Sequence, residues 1–320
     1  MHILVTGGAG YIGSITTRTL LDAGHACTVI DTLENGHRWA VDERATLIEG
    51  SVGDRACISH ALSAVDCVMH LAGYIEVAES VAHPDRYCAN NVAAPQVMLE
   101  EMRARGVDKL VFSSSAAVYG QPSEIPLSED ARTEPINPYG SSKLQFENLL
   151  DDFADAITSI RFRYFNAAGA YPDGSLGECH TPETHLIPNV LTALINKEPS
   201  FTLFGDDYPS SDGTCVRDYV HVCDIAQAHL LGIETLGRGE GGGAYNLGNG
   251  TGFSNYEIVQ SCMAVTDTAL SIRYGPRRAG DPAVLVASPR LAMKRFGWSP
   301  RYSDITTIIK HAYAWHAQHS

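Results

Sequence analysis

The sequence HILVTGGAGYIG, residues 2–13, joins an apolar, strand-like run directly to a turn with three spaced glycines. Gly7 permits a tight turn, Gly10 lets backbone amides approach a pyrophosphate, and Gly13 allows the following helix to pack closely on the strand. Apolar residues then recur at helical spacing, so the glycines lie between a strand and a helix. This stretch therefore predicts a dinucleotide-binding turn at the start of a parallel sheet.

Strand-like and helical segments continue to alternate through the first half of the chain. Continuous apolar strands separated by helices predict an α/β fold with a doubly wound parallel (Rossmann) sheet. Ligands of such sheets bind beyond the carboxyl ends of the strands. The predicted strands cover residues 2–6, 26–31, 46–49, 67–72, 109–114 and 157–163.

A second, smaller α/β domain is predicted after about Asn166, where prolines and turn-rich segments interrupt the regular alternation. We expect residues 1–165 to form the dinucleotide-binding domain and residues 166–320 to form the substrate domain. Part of the segment 215–235 is expected to pack back on the first domain.

The chain has 320 residues, of which 44% are hydrophobic and 19% charged, as is typical of soluble globular proteins. No apolar run approaches the roughly 18 residues that cross a bilayer. The N-terminus enters the first strand without a basic stretch or a cleavage site, which predicts a cytoplasmic protein. The net charge of -14, without a dense basic patch, argues against nucleic-acid or acidic-membrane partners.

The eight cysteines are scattered, without a Cys-x-x-Cys pair, and are predicted to be free thiols. The densest group of potential metal ligands has irregular spacing, and no carboxylate pair is evident at ligand distance. We therefore predict no metal site. The members of this group are Cys179, His180, Cys215, His221 and Cys223.

The second predicted strand ends in Asp31, eighteen residues after Gly13. A carboxylate at this strand end can accept hydrogen bonds from the adenine ribose hydroxyls, and it repels a 2′-phosphate. The predicted cofactor is therefore NAD rather than NADP.

The sequence PYGSSK, residues 138–143, predicts the start of a helix that carries Tyr139 and Lys143 one turn apart on the same face. A nearby ammonium and a positively charged nicotinamide both favour the phenolate of Tyr139, which can then remove a proton from a hydroxyl group. Upstream, Ser115 follows the end of a predicted strand and can bridge to the same substrate oxygen. Ser115, Tyr139 and Lys143 are the predicted catalytic residues.

With these motifs the chain resembles the extended short-chain dehydrogenase/reductase superfamily, and within it the UDP-glucose 4-epimerase family, over nearly its whole length. The segments most specific to the epimerases are Gly205 to Pro209 and Asp212 to Val222. The other matching segments are Gly7 to Ser14, His70 to Gly73, Asn90 to Val92, Ser113 to Gly120, Tyr139 to Lys143 and Tyr164 to Asn166.

The resemblance implies a homodimeric, NAD-dependent enzyme that inverts C4 of a UDP-hexose, UDP-glucose or UDP-galactose first of all, through a transient 4-keto sugar. UDP-glucuronate is the main alternative substrate, although no cation for its C6 carboxylate is evident among the matched residues. Ala116 and Ala117 stand where related dehydratases carry an Asp-Glu pair, so elimination of water is disfavoured. A non-catalytic NAD(H) sensor is the third alternative, but such relatives lose the Tyr-x-x-x-Lys pair that this chain keeps.

The resemblance also implies the cofactor contacts, with two departures from the family pattern. Ser51 stands where relatives carry an Asp near the adenine amine, and it can still accept a hydrogen bond. Ile75 stands where many relatives carry a Lys near the nicotinamide ribose, and it cannot donate one. The predicted cofactor-binding residues are Gly7, Gly10, Tyr11, Ile12, Gly13, Asp31, Asn35, Gly36, Ser51, Val52, Leu71, Ala72, Gly73, Asn90, Tyr139, Lys143 and Phe165.

For the substrate, Arg217 and Arg278 are fork-shaped donors suited to the diphosphate. In the matching segment 280–285, the resemblance places Leu285 beside the sugar's C2 substituent, where some relatives carry a bulky Tyr. This predicts acceptance of some UDP-N-acetylglucosamine, with core packing as the alternative role of Leu285. The predicted substrate-binding residues are Ser115, Tyr139, Asn166, His185, Leu186, Phe204, Arg217, Tyr219, Arg278, Asp281 and Leu285.

Overall fold

The main body of the computed structural model, which describes residues 1–122, 124–278 and 281–319, is a seven-stranded sheet. Gly280, which opens the matching segment 280–285, lies outside the described residues. The strands are β1 (His2–Thr6), β2 (Ala26–Asp31), β3 (Thr46–Glu49), β4 (Cys67–His70), β5 (Lys109–Ser115), β6 (Thr158–Tyr164) and β10 (Gly243–Leu247). They are all parallel and lie in the order β10-β6-β5-β4-β1-β2-β3.

Helices cover both faces of this sheet. Alternate side chains of a strand point to opposite faces. Accordingly, Ile3 and Val5 pack with the helices at 11–22 and 222–237, whereas Leu4 packs with the helices at 55–61, 94–105 and 138–152. The prediction of a doubly wound α/β sheet is therefore confirmed. The helices of this part are α1 (Tyr11–Asp22), α2 (Arg55–Ala61), α3 (Val77–Ala82), α4 (Pro84–Cys88), α5 (Ala94–Arg105), α6 (Pro138–Asp152) and α8 (Val222–Gly237).

The second part of the molecule is smaller and carries two further sheets. One contains β7 (Asn166–Ala168), β9 (Val216–His221), β11 (Gly252–Ser254) and β13 (Val284–Leu285), and the other pairs β8 (Ser200–Phe204) with β12 (Ser271–Gly275). Val190, Ile258 and Ile308 join three of its helices in one core. The remaining helices are α7 (Leu186–Ile195), α9 (Asn255–Thr266), α10 (Arg290–Phe296) and α11 (Ile305–His319).

The chain crosses between these two parts more than once. β10 completes the seven-stranded sheet, and α8 packs against α1, although both follow residue 166 in the sequence. The division at residue 165 therefore stays a prediction about domains. Within the described residues, no helix combines the length and the apolar character needed to cross a membrane.

Candidate active site

The glycine turn, residues 7–13, leaves open backbone at the start of α1. Gly7 has a φ of +73°, and a Cβ there would lie 2.6 Å from the backbone nitrogen of Ala72. A Cβ on Gly13 would lie 2.0 Å from the carbonyl oxygen of Gly7, so this position also requires glycine. At Gly10, by contrast, a Cβ would meet only the Gly7 carbonyl, at 3.5 Å. No side chain caps the first amides of α1, and its first turn carries no acidic residue, so these amides can receive an anion.

Asp31 ends β2 directly beside this turn. Its Oδ2 accepts a hydrogen bond from the Ala9 amide at 3.0 Å, and its Oδ1 accepts one from the Leu33 amide at 2.9 Å. The carboxylate is therefore fixed against the glycine turn, at the end of the strand where the sequence placed it. Ionised carboxylates accept several hydrogen bonds, so Asp31 retains acceptor capacity for ribose hydroxyls.

Asn91 joins the segment after β4 to the helix α6. Its Oδ1 accepts from the Tyr74 amide at 2.8 Å, and its Nδ2 donates to the Tyr74 carbonyl and to Ser142 Oγ, each at 3.0 Å. The predicted contact Asn90 donates to Asn91 Oδ1 in the same turn, a π-helical turn over Ala89–Ala93. Asn91 was missed as a site residue, although the matching segment Asn90 to Val92 contains it.

Tyr139 and Lys143 lie on the first turns of α6. The Asn137 side chain starts this helix by accepting a hydrogen bond from the Gly140 amide at 2.8 Å. Lys143 is only 4% exposed, and its Nζ donates to the carbonyl of Ser113 at 2.8 Å. The same Nζ lies 5.9 Å from the centre of the Tyr139 ring. The predicted pair therefore shares one side of the helix and faces the end of β5.

Burial sets the protonation of this pair. It lowers the pKa of Lys143 to about 8, and the nearby carboxylate of Glu147 opposes this effect. Burial raises the pKa of Tyr139, while a hydrogen bond with Ser115 lowers it. In the protein alone Tyr139 is therefore a neutral phenol, and its ionisation depends on positive charge close to the ring.

Behind Lys143, Glu147 is the centre of a buried polar network. Its two carboxylate oxygens accept from Arg163, with Nε to Oε1 at 3.0 Å and Nη2 to Oε2 at 2.6 Å. Ser114 Oγ donates to the same carboxylate, and Arg163 Nη1 donates to the Tyr119 hydroxyl at 3.0 Å. The side chains of Glu147 and Arg163 are only 3% and 8% exposed. The network supports the strand ends beneath the site, and no local sequence pattern revealed it.

The structure places the remaining cofactor candidates at or just beyond the carboxyl ends of the parallel strands, where this fold binds ligands. Tyr11 donates its hydroxyl proton to the carbonyl of Gly169 at 2.6 Å, which joins α1 to the segment after β7. These candidates are Asn35 and Gly36 after β2, Ser51 and Val52 after β3, Leu71, Ala72 and Gly73 after β4, and Phe165 after β6. Ile75, the departure from the family pattern, is 43% exposed.

The substrate candidates come from five elements of the second part and its loops. Arg217 Nη2 lies 3.7 Å from Asp281 Oδ1, and the Arg278 guanidinium stacks over the Phe204 ring at 4.7 Å. Tyr219 is only 4% exposed and belongs to a hydrophobic core, so its side chain faces inward. The other candidates are Asn166 opposite Tyr219 in the β7/β9 pairing, His185 and Leu186 at the start of α7, and Leu285 opposite Arg217 in the β13/β9 pairing.

A cluster of four ligand-type side chains precedes α7. It consists of Glu178, His180, Glu183 and His185, and one nitrogen or oxygen atom of each lies within 4.8 Å of the others. The sequence drew attention only to a different group around Cys179 and His180, for which no metal site is predicted, and it missed the two glutamates. The signal that could have found them is the alternation of acidic and imidazole residues along 178–185.

Comparisons with known proteins agree with this geometry. The model of the NAD dependent epimerase/dehydratase family matches residues 3–248. A curated UDP-glucose 4-epimerase of Lacticaseibacillus casei is 45% identical over 323 residues, covering 100% of this chain and 98% of that protein.

Two solved structures are similar over the same length. The UDP-glucose 4-epimerase of Brucella ovis in complex with NAD has a TM-score of 0.95 and 43% identity, covering 99% of this chain and 98% of that one. The UDP-Glc/GlcNAc 4-epimerase of Campylobacter jejuni has a TM-score of 0.86 and 36% identity, covering 99% of each chain.

Proposed function

The chain belongs to the NAD dependent epimerase/dehydratase family, and from this premise we propose that it is an NAD-dependent UDP-glucose 4-epimerase, an isomerase that interconverts UDP-glucose and UDP-galactose. The observation that carries the proposal is the Tyr139–Lys143 pair next to the glycine turn. Residues 72–73 lie between this pair and the turn. A Cβ on Gly73 would lie 3.4 Å from Lys143 Nζ, and a Cβ on Gly7 would lie 2.6 Å from the backbone nitrogen of Ala72. Incubating the purified protein with each UDP-sugar and resolving the 4-epimers tests the proposal.

The residues of the glycine turn fit NAD. The uncapped amides of α1 and the open space at Gly10 suit a diphosphate, and Asp31 suits an unphosphorylated ribose. Lys143 and Tyr139 would hold the nicotinamide end. The chemistry that a bound NAD would supply is a hydride acceptor for C4 of the sugar and, in its reduced form, the hydride donor to the opposite face of the same carbon.

Tyr139 is proposed to take the proton of the C4 hydroxyl and to give it back after the sugar has turned. Burial disfavours the phenolate form of Tyr139. Lys143 would assist because its ammonium stabilises this phenolate. Ser115 hydrogen-bonds to Tyr139, and it would hold the same sugar oxygen. The proton returns to the sugar oxygen through Tyr139 and the hydride returns to C4, so the net reaction is redox-neutral.

The nucleotide must be held firmly while the keto sugar turns. Arg217 and Arg278 are proposed to bind the diphosphate, with Phe204 beside the uracil and Asn166, His185 and Leu186 along the nucleotide. Arg217 is mostly buried and Arg278 is held over the Phe204 ring, so both guanidinium groups are pre-positioned. Binding energy from this non-reacting part can then be used at the reacting carbon.

UDP-glucuronate is not favoured as the substrate. Its C6 carboxylate would need a cation beside the sugar, and the arginines of the proposed site are assigned to the diphosphate. A homodimer, which the family resemblance implies, and a cytoplasmic location are part of the same proposal. Analytical ultracentrifugation of the purified protein tests the first, and cell fractionation tests the second.

We expect the protein to purify with NAD or NADH bound. The hydride must return to the sugar that released it, and an exchangeable cofactor would leave 4-keto product behind. Mass spectrometry of the gel-filtered, denatured protein measures the cofactor, and added NAD should raise the rate only slightly. A cofactor-free protein that consumes stoichiometric NADH would instead be an ordinary reductase.

The activity should fall at alkaline pH. As the pH rises through about 8, Lys143 loses its proton, so the cation that stabilises the Tyr139 phenolate disappears. We expect kcat/KM to decline above this pH, because this parameter reports groups of the enzyme before the sugar nucleotide binds. Initial rates over a pH series measure the decline. A profile that stays level far beyond this pH would show that Lys143 remains charged or has no such role.

The side chain of Leu285 should control the size of the C2 substituent. It pairs with Arg217 across β13 and β9, and it packs against the hydrophobic cluster that contains Phe165 and Ala116, near the proposed sugar site. We expect the wild type to accept some UDP-N-acetylglucosamine. Leu285→Tyr should suppress this substrate by roughly 5 to 150-fold while sparing UDP-glucose, since overpacking a filled pocket costs about 1 to 3 kcal/mol.

Leu285→Met is the matched control, because it conserves volume and should leave the ratio of the two substrates unchanged. Steady-state rates with both UDP-sugars measure that ratio. An equal loss of both activities in Leu285→Tyr would assign Leu285 to core packing.

A further inference from the structure

The four-residue cluster before α7, made of Glu178, His180, Glu183 and His185, has the composition of a metal site. Of its four members, only His185 also has a place in the proposed function, along the nucleotide. We propose that it binds one divalent transition-metal ion, with Zn²⁺ the best fit. Two carboxylates and two neutral imidazoles carry two negative charges, which one such ion neutralises. Two nitrogen ligands favour Zn²⁺ over Mg²⁺ and Ca²⁺, which prefer oxygen ligands.

His180 is oriented as a metal ligand. Its Nδ1 lies 2.8 Å from the carbonyl oxygen of Pro182, which can only accept, so Nδ1 carries the proton. In the neutral ring the lone pair is then on Nε2. A backbone carbonyl that orients the far side of the ring in this way is usual for histidines that bind metals.

The Nε2 atom of His180 points between two carboxylates and not at either one. It lies 3.4 Å from Glu178 Oε1 and 3.3 Å from Glu183 Oε1, and it is buried without a hydrogen-bond partner of good geometry. A protonated imidazole in an ion pair would direct its N–H at one oxygen. The two nearly equal distances from Nε2 to the carboxylate oxygens match instead the distance between two ligand atoms of a tetrahedral zinc site. That distance is about 3.3 to 3.4 Å when each ligand atom lies about 2.0 to 2.1 Å from the ion.

The two carboxylates are held in place before any ion arrives. The Glu178 side chain is only 5% exposed. The backbone carbonyl of the same residue accepts a hydrogen bond from Trp315 Nε1 on α11 at 2.9 Å. Glu183 Oε1 accepts from the amides of Thr184 and His185, each at 2.8 Å. These anchors reduce the entropy lost when the ion binds.

His185 completes the set and leaves a path to solvent. Its Nδ1 lies 2.5 Å from Glu178 Oε1, so one proton is shared there in the metal-free protein. The ion replaces this proton, and the two atoms then separate to the edge of the tetrahedron. The His185 side chain is 43% exposed, so an ion can enter beside it. The rings of His180 and His185 stand nearly perpendicular, at 87° with centres 5.4 Å apart.

The test uses full-length protein without a histidine tag, treated with EDTA and dialysed, then titrated with Zn²⁺ in competition with a chromophoric chelator. We expect one Zn²⁺ per chain and no displacement by Mg²⁺. His180→Gln should weaken the affinity by about 100-fold or more, since changes even to groups behind the ligands cost about 10 to 100-fold. His60→Gln, on the exposed surface of α2, is the matched control and should bind like the wild type.

Glu183→Gln is a second variant that removes one ligand charge, and circular dichroism establishes that each variant is folded. Saturating Zn²⁺ should raise the melting temperature of the wild type and of His60→Gln but not that of His180→Gln. Equal Zn²⁺ affinity in the wild type, His180→Gln and Glu183→Gln would overturn the proposal, and so would a wild type that binds none. Because no readout depends on epimerase activity, failure here leaves the proposed function untouched.

Discussion

Tyr139→Phe is expected to lower kcat by roughly 100 to 10,000-fold, the range of a lost general acid–base group. The substitution removes one oxygen from a ring whose hydroxyl bonds with Ser115 and whose centre lies 5.9 Å from Lys143 Nζ. Phenylalanine fills the same space, so NAD and the nucleotide should still bind. Rates with UDP-galactose, together with the bound NAD content of each variant, separate loss of chemistry from loss of binding.

Tyr313→Phe, on α11, makes the same chemical change away from the site and should keep the wild-type rate. Lys143→Ala should lower kcat by a factor in the same range as Tyr139→Phe. Ser115→Ala should lower kcat less, because Ser115 would hold the sugar hydroxyl by a hydrogen bond and would not remove its proton. Wild-type activity in a folded Tyr139→Phe variant would rule out the proposed mechanism.

The second large effect concerns stability. Glu147→Gln should lower the free energy of unfolding by about 3 to 5 kcal/mol, because it leaves the guanidinium of Arg163 buried without its charge partner. The two side chains are 3% and 8% exposed and are joined by two hydrogen bonds. Urea unfolding at matched NAD occupancy measures the change. The same substitution removes the charge that opposes the lowering of the Lys143 pKa, so the alkaline decline in kcat/KM should begin at lower pH.

Asp155→Asn is the matched control for this prediction. It removes one charge from the Arg103–Asp155 pair, whose side chains are 45% and 75% exposed. Exposed pairs contribute at most about 1 kcal/mol, since water screens them. Equal unfolding free energies for Glu147→Gln and Asp155→Asn would show that the buried pair contributes no more than a surface one.

The outline of the fold and half of the candidate site follow from local spacing. The glycines of the turn predict β1 and α1 because strand, turn and helix are consecutive, and Gly7 and Gly13 are each required by an atom nearby in the fold. The four-residue spacing of Tyr139 and Lys143 places them on one helix face whatever the rest of the chain does. The position of Asp31 is also predicted locally, because it is the last residue of a strand that follows the glycine turn and its helix.

The sequence alone therefore determined six strands of the sheet, the cofactor turn and the candidate pair on α6, each of which is set by residues close together in the chain. Only the tertiary structure decided that β10 completes the sheet, that Asn91 bonds to Tyr74 and Ser142, and that Arg163 is the partner of Glu147. All three join segments that are not neighbours in the chain, and no periodicity encodes such pairings. The cluster at 178–185 is local in sequence, but it lies in an irregular loop. There the directions of the side chains follow from backbone turns and from anchors such as Trp315, which a reading of residue types does not contain.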